Sequence, residues 1–335
     1  MKKTHVLFAF ARPLTQMFFT DEALADIDDI SVVEKRENIT DTDTLDSVLD
    51  RFPADIIVTG WGSAALTEDL MRKHPQLKYV CHCGGEIKAY IPKQLIEHGL
   101  IATNWGKLPS RMLGEAALMG ILSCLRRTTE AHMIMHTKRS WKQTTDAGTE
   151  TLFGQRVGIF GFGASGRELV KLLKPFSCEV SAYSPFESDD VFEALDVRRM
   201  QTLDALFRHN RIISVHASLT KENYHVIDRK MLDLLQPDAV IVNTARGAIF
   251  DETALIEVLR TGALRASLDV YEHEPLPEDS PLRGLPNVQL IPHQASPTSD
   301  QYKEIGNIVA DNIAKIVSGR MPENIVDEPM YDYIT

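Results

Sequence analysis

Cysteine is scarce: Cys81, Cys83, Cys124 and Cys178 are the only four in 335 residues. Four thiols cannot build a disulfide scaffold in a chain this long. Basic side chains are in the minority, 36 against 47 acidic ones, for a formal charge of −11. That sign repels phosphate backbones and anionic lipid, which excludes general nucleic-acid or membrane-surface binding. No apolar run approaches the roughly 18 residues needed to cross a bilayer. The first run, from Val6, stops at Arg12; it is too short for a secretory core and reads as a buried strand. Repeats, low-complexity tracts and charged tails are also missing, so an ordered, soluble, cytoplasmic protein is expected.

What is present is an ordinary globular composition, 44% hydrophobic and 25% charged. At ~150 residues per domain, the length suggests two domains. Short apolar runs at 5–10, 55–59, 78–82 and 100–104 alternate with helical patterns such as 43–49 and 67–71. A helical stretch of about 110–137 follows, and a second series of strands is predicted at 156–160, 179–183, 211–215, 239–243, 266–270 and 288–291. Strands alternating with helices imply parallel sheets covered on both faces. After Pro297 an amphipathic helix carries Ile305, Ile308, Val309, Ile313 and Ile316 on one side, and Gly319 ends it. A terminal helix after a complete second sheet packs most economically on the first domain. The division expected is 1–105 with 299–335, and 106–298.

Gly161-Phe162-Gly163-Ala164-Ser165-Gly166 is a G-x-G-x-x-G between an apolar strand and a helix, the context in which this short pattern gains meaning. Gly161 suits the tight turn, Gly163 the approach of a pyrophosphate, and Gly166 close helix–strand packing. Ala164 and Ser165 open the helix whose N-terminal N–H groups would face the phosphates. An acid is expected at the tip of the next strand to hold the adenosine ribose. Ser184 stands there instead, followed by Glu187, Asp189 and Asp190. No arginine follows directly; the next basic pair is Arg198-Arg199. The cofactor is NAD or NADP, and the acidic surroundings favour NAD.

Three later strand ends carry chemistry: Arg246 in Asn243-Thr244-Ala245-Arg246-Gly247, Glu274 in Tyr271-Glu272-His273-Glu274-Pro275, and His293 in Ile291-Pro292-His293. Carboxyl ends of parallel strands share one edge, where ligands bind. With these motifs, Trp141, Gly154, the 215–220 strand end and the Asn104 to Glu115 segment, the chain resembles the D-isomer-specific 2-hydroxyacid dehydrogenases over nearly its whole length. The resemblance implies an α/β fold of two doubly wound parallel-sheet domains, a Rossmann NAD(P)-binding domain inserted in a flavodoxin-like substrate domain.

It also implies roles. Arg246 would grip the substrate carboxylate and carbonyl, and His293 would exchange a proton with the substrate oxygen. Glu274 would fix the tautomer of His293 and favour its imidazolium form. His216, Thr244, Ala245 and Asp269 would lie along the cofactor. Gly84 and Gly85 would offer N–H groups to the substrate, although the run Cys83-Gly84-Gly85-Glu86-Ile87 lacks the family's Asp-Asn pair. Gln294-Ala295 replaces a common Ala-Gly, and Ser218 a common Pro.

The function implied is hydride transfer between NAD(P)(H) and a small D-2-hydroxy acid or its 2-oxo acid, by a homodimer with the Trp141 arm against its partner. Glu274, where formate dehydrogenases carry Gln, argues against formate. The rival is an NAD(H)-sensing interaction protein of the C-terminal-binding-protein corepressor type, which keeps the same Arg, Glu and His. No metal is expected: Cys81-His82-Cys83 lacks a second cysteine pair at zinc spacing.

Overall fold

The computed structural model describes residues 3–141 and 148–333. It forms two compact units, Met1–Leu108 with Thr298–Thr335, and Pro109–Pro297. Among the described residues no helix is long and apolar enough to cross a membrane.

The first unit is built on five parallel strands, β1 (His5–Ala9), β2 (Val32–Arg36), β3 (Ile56–Thr59), β4 (Tyr79–His82) and β5 (Ile101–Thr103), in the order β2-β1-β3-β4-β5. Short polar residues start three of its helices: the side chains of Thr20, Asp41 and Thr67 accept the N–H groups of Ala23, Thr44 and Leu70 at 2.8–3.2 Å, bonds that satisfy otherwise orphaned donors. β2 escapes an apolar-run reading because only Val32 and Val33 are apolar and the strand is an exposed edge.

The helix Tyr302–Val317 packs on helix Asp21–Ile30 and on the turn Thr15–Phe18 through Ile305, Val309 and Ile313. Gly306 is what permits this approach. A Cβ there would stand 2.0 Å from the Phe18 carbonyl oxygen.

The second unit holds seven parallel strands: β6 (Arg156–Phe160), β7 (Glu179–Tyr183), β8 (Arg198–Arg199), β9 (Ile212–Val215), β10 (Ala239–Asn243), β11 (Leu264–Leu268) and β12 (Val288–Leu290). Their order, β12-β11-β10-β9-β6-β7-β8, reverses direction at β6/β9, the switch point of a doubly wound nucleotide-binding sheet. β9, β10 and β11 are buried throughout. β8 is two arginines on the edge, with no apolar signal to betray it.

The stretch predicted as one helix over about 110–137 is broken. Helix Pro109–Arg126 ends where Arg127 turns left-handed at φ +53°, and a short helix, Thr128–His132, and a π-helical turn, Met133–Thr137, follow. The break is anchored by the buried Arg265 of β11, whose guanidinium donates to the Cys124 carbonyl at 3.0 Å and to Glu150 at 2.6 Å. A tertiary contact therefore caps the helix where local propensity would let it run on.

Two expectations test these contacts. Gly306→Ala should lower the stability of the first unit by about 3 kcal/mol, read as a fall in the urea midpoint, because backbone rather than a flexible side chain must give way. The second concerns His82, fully buried with Nδ1 2.9 Å from Thr59 Oγ1 and, among the described residues, no partner for Nε2. Burial pushes its pKa down to about 4. The unfolded ring titrates near 6.5, so the neutral ring's contribution is intact above that pH and drains away as pH falls toward 4. The loss should reach about 3 kcal/mol, and a His82→Gln variant should lack that part of the slope in denaturation at pH 7 and 4.5.

Candidate active site

β6 runs into the glycine loop at the switch point. Gly161 has φ +91°, and a Cβ on it would lie 2.3 Å from the backbone nitrogen of Ala217. A Cβ on Gly166 would meet the Gly161 carbonyl oxygen at 2.5 Å, where helix Ala164–Leu173 presses on its own strand. Gly163 differs: its Cβ position is open, with nothing within 4 Å. This glycine is also the N-cap, and no side chain caps the helix that starts with Ala164 and Ser165. Bare N–H groups, the positive end of a helix dipole and open space above Gly163 fit a pyrophosphate.

Other polar groups lie on the same strand ends. Thr244, just past β10, is buried, and among the described residues its Oγ1 has no partner. His216, past β9, is half-buried with Nε2 2.8 Å from Ser214 Oγ. Burial pushes its pKa down to about 4, so the ring is neutral at physiological pH. Ser184, at the tip of β7, is buried.

Arg246 sits on a turn that Asn243 shapes from beneath. The buried Asn243 amide donates to the Arg246 carbonyl at 3.0 Å and accepts from the Ala245 N–H at 3.1 Å. Arg246 Nη1 donates to the Ala245 carbonyl at 2.7 Å. The next residue, Gly247, lies against the peptide joining Tyr271 and Glu272; a Cβ there would be 1.9 Å from the Tyr271 carbonyl carbon. The turn after β10 thus rests directly on the loop after β11.

That loop and the one after β12 carry the acid and the histidine. Nδ1 of His293 lies 2.6 Å from Oε2 of Glu274. A carboxylate only accepts, so the proton resides on Nδ1 and Nε2 is left for chemistry. Oε1 of Glu274 accepts the Tyr271 N–H at 3.0 Å, which fixes the carboxylate plane. His293 itself is left-handed, φ +48°, and donates its N–H to the Asp269 carbonyl at 2.8 Å. The buried Asp269 carboxylate accepts the N–H groups of Gln294 at 2.8 Å and Ala295 at 3.1 Å. Burial pushes the Asp269 carboxyl up, against the pull of those two amides. These contacts make Asp269 a clamp on the His293 loop, a role its sequence context did not suggest.

Tyr271 completes the frame. Its hydroxyl lies 3.0 Å from the Leu268 carbonyl and 2.8 Å from the Ile291 carbonyl, and it accepts the Ile291 N–H at 3.1 Å. Burial pushes this phenol up to about 12. Nothing in the sequence singles it out, because its importance comes from bridging the strand ends at Leu268 and Ile291, the latter 20 residues from Tyr271 itself. A cavity of about 630 Å³ opens beside the pair, lined by Tyr271, Glu274, Leu276, Leu290 and His293.

Gly84 and Gly85 belong to the first unit, in the loop after β4. Both are buried and both have a packing reason to be glycine. A Cβ on Gly84 would stand 2.5 Å from His82 Nε2, and one on Gly85 2.6 Å from Trp105 Nε1. Their carbonyls accept from the Trp105 N–H at 3.2 Å and the Asn104 amide at 2.8 Å. Beside them, burial pushes the Cys81 thiol up to about 12 and Cys83 well above its ordinary value, which makes both poor metal ligands at neutral pH.

Comparison with known proteins covers most of the chain. The sequence profile of the "D-isomer specific 2-hydroxyacid dehydrogenase, NAD binding domain" matches residues 118–295. A D-3-phosphoglycerate dehydrogenase of Methanocaldococcus jannaschii is 31% identical over 310 residues, 92% of this chain and 58% of that protein. The chain thus spans little more than half the length of that relative. A glyoxylate reductase of Thermococcus litoralis is 30% identical over 268 residues, 78% of this chain and 80% of that one. In fold, the solved glyoxylate reductase of Paecilomyes thermophila superimposes with a TM-score of 0.82 over 98% of this chain and 100% of that one, at 21% identity. A nucleotide-binding profile over more than half the residues, and 30% identity running through both units, establish the chain as a member of the D-isomer-specific 2-hydroxyacid dehydrogenase family.

Proposed function

We propose that the protein is an NAD(P)-dependent oxidoreductase that interconverts a small D-2-hydroxy acid and its 2-oxo acid, with NAD favoured. The observation that carries this reading is the Glu274–His293 contact of 2.6 Å at the same sheet edge as Arg246 and the uncapped phosphate loop. The site fits the cofactor by the open Gly163 position and by the Thr244 hydroxyl, which has no partner among the described residues. When bound there, the nicotinamide supplies or accepts the hydride.

The chain's own residues handle charge and protons. Arg246 presents a planar fork that matches a carboxylate and its neighbouring carbonyl. In the reducing direction the imidazolium of His293 gives its Nε2 proton to the substrate oxygen; in oxidation neutral Nε2 takes it back. Glu274 holds the ring through Nδ1 in both states and offsets the positive charge when the ring is protonated. Tyr271 and Asp269 hold the two loops so that this pair is formed before substrate arrives, and such preorganisation lowers the barrier by avoiding reordering during the reaction.

The reading extends to a cytoplasmic homodimer. Met119, Met135 and Trp141 are exposed apolar side chains on helix Pro109–Arg126 and the segment that follows, of the kind a symmetric partner would cover. The residues between Trp141 and Gly148 lie outside those described.

The deciding experiment is NADH and NADPH oxidation by the purified protein against a panel of short and phosphorylated 2-oxo acids. Turnover is expected, and His293→Ala should cut kcat by about 1,000-fold while NADH affinity is nearly unchanged. Tight nucleotide binding with no turnover on any acid would replace the enzyme by a nucleotide-sensing protein. Arg246→Lys should lower kcat/KM by about 100-fold, since an ammonium cannot make paired contacts. Removing only the hydroxyl in Tyr271→Phe should lower kcat about tenfold through misplacement of the pair, with the NADH dissociation constant as the unaffected control.

A further inference from the structure

Ser184 leaves the second unit without the acid that normally holds the adenosine ribose, yet a carboxylate is held close by. The tips of β6 and β7 are adjacent: Phe160 pairs with Tyr183, and the Gly161 N–H donates to the Tyr183 carbonyl at 3.0 Å. The phosphate loop therefore starts beside Ser184. From the first turn of the next helix, Arg167 reaches back over this gap. Its Nε donates to the Phe162 carbonyl at 2.9 Å, within the glycine loop, and its guanidinium lies 6.0 Å from the Phe162 ring centre. Nη2 of the same guanidinium pairs with Oε2 of Glu187, in the loop after β7.

The ion pair thus bridges the two loops between which the adenosine ribose of a dinucleotide lies in this fold. Arg167 is committed to one carboxylate and one carbonyl and offers no uncompensated charge. The contact with Glu187 is made through Oε2, and Oε1 is the second acceptor of the same carboxylate. Of the acids that follow, Asp189 is paired with Arg199 on the edge strand β8. That pairing also removes Arg199, the half-buried member of the basic pair, as a free phosphate ligand.

Resting on the reading that the second unit binds NAD(P), we propose that Glu187, held by Arg167, accepts the adenosine ribose hydroxyls in place of the acid missing at Ser184. It thereby selects NAD(H) over NADP(H). A carboxylate accepts hydrogen bonds from a diol and repels a 2′-phosphate, and a guanidinium already neutralised by it cannot compensate. Cofactor choice is then set three residues beyond the usual position, by a pair whose two members push in opposite directions.

Isothermal titration of the full-length protein tests this without any turnover. NADH should bind about tenfold or more tightly than NADPH, the scale of one close charge near a surface. Glu187→Gln should abolish that ratio, mainly by tightening NADPH, because Arg167 is then uncompensated. Arg167→Gln should keep or widen it. Equal or tighter binding of NADPH by the wild type overturns the proposal, as does an unchanged ratio in Glu187→Gln or tighter NADPH binding in Arg167→Gln.

If Glu187→Gln does not fold, judged by circular dichroism, titration of the wild type with 5′-AMP and 2′,5′-ADP decides instead. Weaker binding of the doubly phosphorylated compound supports a carboxylate at the 2′ position, and stronger binding overturns it. Absence of nucleotide binding altogether removes both this proposal and the cofactor reading beneath it. Nucleotide binding without turnover leaves this proposal standing and removes only the catalytic one.

Discussion

The hydrogen bonds that Asp269 and Tyr271 send across from β11 to the segment after β12 hold the candidate chemistry together. The Asp269 carboxylate takes the amides of Gln294 and Ala295, its carbonyl takes that of His293, and the Tyr271 hydroxyl joins the Leu268 and Ile291 ends. A left-handed residue such as His293 is unfavourable for a side chain with a Cβ and persists only where its surroundings over-determine it. Here three backbone amides in a row, at 293, 294 and 295, are all satisfied by one buried aspartate. Glu274 is then fixed by the Tyr271 N–H, and the Glu274–His293 contact follows from the frame rather than from the pair's own strength. Partly exposed ion pairs are individually weak, and this one is preorganised by neighbours that are buried.

The same economy governs the nucleotide side. Several helices of the protein spend a threonine or aspartate on capping their first turn, among them those headed by Thr202, Asp228 and Asp251. The helix after Gly163 has no such cap, and its free N–H groups are the feature a pyrophosphate uses. Its glycines divide the work by what surrounds each one: backbone contact at Gly161 and Gly166, open space at Gly163. Charge is arranged with equal restraint, since Arg167 and Arg199 are both paired with acids around the end of β7.

Much of this was legible in the chain. Buried parallel strands are short apolar runs, and such runs announce β1, β3, β6, β9 and β10 directly because both faces of each are covered. Two of the four edge strands, Val32–Arg36 and the arginine pair of β8, lack that signature and pass unnoticed, whereas the edges β5 and β12 keep an apolar run. Helical periodicity carried the reading past Arg126, since no local residue stops the helix. The stop comes from Arg265, 139 positions from Arg126 in sequence and buried in another strand.

Local covalent pattern determined the class of protein: a glycine spacing set between an apolar strand and a helix, and Arg, Glu and His each placed past a strand end. Those are short-range facts, and a parallel sheet converts them into proximity because it aligns its carboxyl ends. What only the tertiary structure decided are the contacts between distant segments: Tyr271 on Ile291, Gly247 under the Tyr271 peptide, Asp269 on the His293 loop, Arg167 on Glu187. No spacing rule encodes such pairs. Each depends on which groups the packed strands bring together, and that is known only after the whole sheet has formed.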